Sequence, residues 1–118
     1  MPATLNFELT AGDALTIQLD HIEEATGLPR SLVGATIAWS FGKLESGRMP
    51  EQTLKTKTIG DGLAVTNASG GEWEIQLVSA DTASLEGEFY HQARITDPAG
   101  PETVLVGRML VHRSLING

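Results

Sequence analysis

The sequence predicts an all-β domain: two packed antiparallel sheets made from seven or eight short strands, with one or two helical turns. Three observations lead there. Apolar and polar residues alternate with period two along most of the chain. Gly, Pro, Asn and Asp interrupt that alternation at short intervals. The 118 residues, 41% of them apolar, suffice for one core but not for two, so residues 1–118 read as a single domain. A closed barrel satisfies the same pattern.

The first strand is predicted over residues 4–10, with Leu5, Phe7 and Leu9 on one face. The turn Ala11-Gly12-Asp13 delivers a second over 14–20, with Leu15, Ile17 and Leu19 inward. Residues 21–34 read as a loop. Within it Asp20 and Glu23 resemble a helix N-cap and its partner, and Gly27 ends the turn. Ile37, Trp39 and Phe41 share one face of the strongest core strand, over 35–42, and 43–51 is a polar loop.

Threonine and lysine alternate over 52–59 with little apolar content. This places the strand at a sheet edge, where lysines discourage pairing with other chains. Gly60-Asp61-Gly62 turns the chain into a short strand over 63–66, and 67–71 turns it again. The next strand, 72–78, points Trp73, Ile75 and Leu77 inward. Residues 79–85 have the composition of one capped helical turn closed by Gly87. The strand over 88–96 puts Phe89, His91, Ala93 and Ile95 on one face. After a turn at 97–101, the last strand runs over 102–113.

A net charge of −7 argues against nucleic-acid backbones and anionic membranes as partners. The absence of cysteine excludes disulfides, thiolate metal sites and cysteine nucleophiles. No apolar run approaches the roughly 20 residues that span a bilayer. The first residues lack the features of a signal peptide, so nothing in the sequence directs it to secretion, and the absence of cysteine fits a protein made and kept in a reducing compartment. Charge comes in blocks: five acids and no base over 1–29, five bases over 30–58, six acids and no base over 59–90. Cross-strand pairing accounts for such blocks, and so does a surface with opposite poles.

The inventory for an enzyme is poor. His21, His91 and His112 have no metal-binding spacing, and His91 reads as a rim residue with a satisfied ring nitrogen. The acids Asp20, Glu23 and Glu24 lack the ligand pattern of a calcium loop, and no serine sits in a G-x-S-x-G elbow. The expectation is therefore no catalytic, cofactor-binding or metal-binding residue, and no enzyme. Trp39 and Trp73 share faces with core aliphatics. Tyr90 alone among the aromatics is predicted to point outward, a thin platform for a sugar.

The last strand departs from the pattern. Leu105, Met109 and Val111 occupy one face, while Val104, Val106 and Leu110 occupy the other beside Arg108. An outer face of that kind implies a cover. The predicted protein contact comprises Val104, Val106, Arg108 and Leu110, joined by Leu115 and Ile116. The competing cover is the 21–34 loop, with Ile22, Leu28 and Leu32.

Three stretches occur in a telling order: Leu9-Thr10-Ala11-Gly12-Asp13, then residues 27–37 with their Gly27-Leu28-Pro29 and Gly34-Ala35, then Asp81-Thr82-Ala83-Ser84-Leu85 before Phe89. Asp97, Gly100 and Gly107 follow. In these features the chain resembles the immunoglobulin-like domains of tailed-phage structural proteins and is similar to the N-terminal domain of baseplate upper proteins. The resemblance spans nearly the whole chain and rests on turn chemistry. It implies an Ig-like antiparallel β-sandwich acting as a structural or assembly protein in a tail, baseplate, neck or capsid. The implied partners are other virion proteins or copies of itself in a homo-oligomer, with no nucleic acid and no membrane. The implied location is the virion, after synthesis in the host cytoplasm. The alternative is a bacterial adhesin or a carbohydrate-binding β-sandwich module.

Overall fold

The alternation of the sequence becomes one mixed sheet that curls around its own core. The computed structural model describes residues 3–20, 31–44, 54–98 and 100–114. In chain order the elements are β1 (Ala3–Thr4), β2 (Phe7–Thr10), β3 (Leu15–Asp20), β4 (Thr36–Lys43), β5 (Lys55–Ile59), β6 (Gly62–Asn67) and β7 (Glu72–Leu77). The helical turn α1 (Ser79–Thr82), β8 (Gly87–Asp97) and β9 (Gly100–His112) complete it. The strand order is β1-β9-β8-β4-β5-β6-β7-β3, and β2 also lies along β9. The helical turn expected around 20–27, the polar loop at 45–51, and Ile22, Leu28, Leu115 and Ile116 lie outside the described residues.

Strand parity places the core as the pattern predicts. Ile37, Trp39 and Phe41 of β4 face Ile95, Ala93 and His91 of β8, and these six side chains are buried. Trp73, Ile75 and Leu77 of β7 are buried opposite Leu19, Ile17 and Leu15 of β3. Leu105, Met109 and Val111 of β9 complete a single hydrophobic cluster. Leu32 belongs to it too, pinned by its N–H donating to the Ala68 carbonyl at 2.7 Å.

Three features differ from the sequence reading. First, the sheet is not wholly antiparallel: β1 and β2 run parallel to β9, and β5 meets β6 in parallel at Thr58↔Gly62 and Ile59↔Leu63. The strand expected over 4–10 is therefore two strands. Its ladder along β9 breaks at Leu5 and Asn6, where the Asn6 side chain accepts the Arg108 N–H at 2.9 Å. Second, β5 is not an edge strand. It lies between β4 and β6, and the Lys57 side chain is only 6% exposed. Burying a cation requires a partner, and Asp81 of α1 supplies it: Lys55 Nζ and Lys57 Nζ each approach its carboxylate at 2.7 Å. Third, Val104 is buried rather than outward. Ala93 faces Leu105 while Arg94 faces Thr103, so Val104 is the extra residue of a β-bulge. The bulge turns its side chain inward, to 7% exposure.

Candidate interaction surface

Beyond the bulge, β9 resumes strict alternation and aims Val106, Arg108 and Leu110 outward between two neighbouring strands. Register defines what surrounds each. Val106 lies between Thr4 and Gln92, Tyr90 stands beside Arg108, and Leu110 lies between Glu8 and Glu88. The two aliphatic side chains are thus half-buried islands in polar rows rather than a continuous strip. Around Leu110 the surface forms an open groove of about 340 Å³ lined by Asn6, Phe7, Glu8, Glu88, Arg108 and Leu110. Charge rims it on both sides. Arg108 Nη1 lies 3.9 Å from Glu88 Oε2, a loose exposed pair, and His112 Nε2 lies 3.2 Å from Glu8 Oε2. Such pairs set orientation more than affinity.

Of the residues predicted to make a protein contact, Val106, Arg108 and Leu110 come together on this face and Val104 does not. Sequence reasoning missed Asn6, Phe7, Glu8 and Glu88, which the parallel pairing of β2 and the antiparallel pairing of β8 bring alongside. One signal for this was present. A glycine inside a strand marks a close backbone approach. Gly107 is such a residue: a Cβ there would run into the Leu5 carbonyl.

Two buried polar groups remain to be weighed as chemistry. His91 is fully buried, a correction to its expected rim position. The Trp39 indole N–H donates to its Nδ1 at 3.1 Å, and its Nε2 lies 2.8 Å from the Leu5 carbonyl. An indole N–H only donates and a carbonyl only accepts, so the ring is neutral and protonated on Nε2. Burial holds its pKa below the usual histidine value, against the opposing pull of the Leu5 hydrogen bond. Phe7 and Trp39 rings pack on it at 5.2 and 5.8 Å. Neither nitrogen has a lone pair to offer a metal or substrate, so His91 ties β1–β2 to the core.

Asp81 is likewise committed. Burial raises its pKa, but hydrogen bonds from Lys55, Lys57 and the Val78 N–H outweigh this and leave it lowered. Its neighbour Thr82 accepts the Gly12 N–H at 3.1 Å, fixing the turn between β2 and β3. Among the described residues no group of three or more His, Cys, Asp or Glu side chains is placed to hold a metal ion, and no helix is long and apolar enough to cross a membrane. Comparison with protein-family models and with curated proteins finds no match.

Proposed function

We propose that the protein is a non-enzymatic structural module of a tailed-phage or prophage particle, an Ig-like β-sandwich that assembles through protein–protein contacts on the outer face of β9. The carrying observation is the groove at Leu110, where a half-buried aliphatic side chain sits inside a rim of Glu8, Glu88 and Arg108. That pairing of apolar centre and polar border is the anatomy of a protein contact.

The Ig-like part of the reading draws support from topology. The strand order, with β2 beside β9 at one end and β6-β7-β3 following β5 at the other, is compatible with an Ig-like reading of the curled sheet. The burial of Trp39 on β4 supports the same reading, since Ig domains pack a core tryptophan on a central strand. The virion part rests on the resemblance in turn chemistry, and its partners are other virion proteins or further copies of the chain.

The test is Leu110→Glu, with assembly state and thermal stability measured separately. Loss of assembly by a folded monomer supports the reading, whereas unfolding of the monomer makes Leu110 a core residue and removes it. Gene neighbours encoding portal, tail-tube or tape-measure proteins would support the particle assignment, and neighbours of a metabolic operon would overturn it.

A further inference from the structure

The sheet has two ends, and they differ. At one end β1 and β2 are short and interrupted, a common way to blunt an edge. At the other end β3 is six regular residues, LTIQLD, with no Lys, Pro or Gly, and among the described residues it is paired on the β7 side only. Its inward side chains record the open edge. Leu15, Ile17 and Leu19 are each half-buried, while their partners Leu77, Ile75 and Trp73 on β7 are buried. One more strand laid along β3 would cover those three side chains and satisfy the row of backbone groups that no described strand pairs.

Charge selects the occupant. On the outer face Asp20 stands directly opposite Glu72, and Gln18 opposite Glu74. No lysine or arginine occurs in β3, β6 or β7, so this three-strand layer carries acids alone. Like charges opposed across a ladder are unfavourable, and an adjacent cation relieves them. A second copy pairing through β3 would bring no cation to relieve them, and a second copy's β2 would add Glu8. We propose that the open edge of β3 takes up an extended segment of a partner protein in which aliphatic residues alternate with Lys or Arg. The aliphatic side chains would pack beside Leu15, Ile17 and Leu19, and the basic ones beside Asp20, Glu72 and Glu74. This site is separate from the β9 face and does not depend on it.

The probe is a ten-residue synthetic peptide of alternating valine and lysine. Its controls are the same peptide with glutamate for lysine and the same peptide N-methylated at alternate amides. Titration by fluorescence anisotropy is expected to show saturable binding of the lysine peptide that weakens with salt, with neither control bound. Amide hydrogen exchange is expected to slow along residues 15–20. Replacing both Glu72→Lys and Glu74→Lys is expected to weaken the lysine peptide roughly tenfold and admit the glutamate peptide. Any of these results would overturn the proposal: no binding at millimolar peptide, equal binding of the N-methylated peptide, protection confined to the β9 face, or full protection along residues 15–20 in the free protein, which would mean the chain covers its own edge. Concentration-dependent dimerisation that protects the same amides would assign the edge to a second copy instead. If the double variant loses its fold, the salt dependence of the wild-type titration decides the charge argument.

Discussion

His91 and Gly107 face one another across β8 and β9, and together they decide how the N-terminal segment is held. Gly107 leaves room for the Leu5 backbone to pass close to β9, and His91 reaches that backbone with its Nε2. Gly107→Ala is expected to push β1 away and destabilise by about 1–3 kcal/mol, measurable by urea unfolding. His91 makes stability depend on pH with a definite sign. Its folded pKa lies below the unfolded value of 6.5, so the unfolded chain binds the proton first as pH falls. Stability should be level above that value and decline as pH drops below it, by at most about 1.4 kcal/mol per unit from this group. Titration of the His91 ring by NMR, alongside melting temperatures of wild type and His91→Gln, checks this. A slope that survives the substitution unchanged would assign it elsewhere.

The helical turn α1 and strand β5 are held to one another by charge. Lys55 and Lys57 share parity with inward positions because they pair with Phe41 and Trp39 of β4. Asp81 pairs with both and also accepts the Val78 N–H at 2.8 Å, closing its own turn. Removing the carboxylate strands a buried ammonium, so Asp81→Ala is expected to cost on the order of 3–5 kcal/mol. The double variant Asp81→Leu with Lys57→Met should recover much of that loss, since desolvation no longer opposes either side chain. Calorimetry of the single and double variants tests both statements. Because the folded pKa of Asp81 is depressed, its stabilisation is present above the unfolded value of 3.8 and is lost as pH falls through the lower folded value. The acid transition should therefore have two parts, His91 first and Asp81 at more acidic pH.

At the scale of the whole molecule, the curl of the sheet leaves one outer face with the Leu110 groove and another with acids only. Leu110→Glu sets a carboxylate between Glu8 and Glu88 and is expected to lower stability by about 1 kcal/mol while leaving the monomer folded and changing assembly. Far-ultraviolet circular dichroism should show a strand-dominated spectrum. Trp39 and Trp73 are both fully buried, so their fluorescence should be blue-shifted and poorly quenched by iodide. Replacement of either by Ala should cost on the order of 3–5 kcal/mol.

Local alternation by itself determined the all-β class, the inward faces of β4, β7 and β8, and the burial of both tryptophans, because side-chain parity is a property of the extended chain. It also determined that Val106, Arg108 and Leu110 face outward. Pairing partners were another matter. The parallel seating of β1 and β2 on β9 depends on residues about a hundred positions apart, and nothing local at residues 4–10 distinguishes a parallel neighbour from an antiparallel one. The inward lysines of β5 read as edge protection because their compensating carboxylate lies on a distant helical turn. The bulge reversed Val104, since one inserted residue exchanges the two faces of a strand. Each of these was decided only by tertiary structure, through long-range pairing and the requirement that every buried charge and backbone group find a partner.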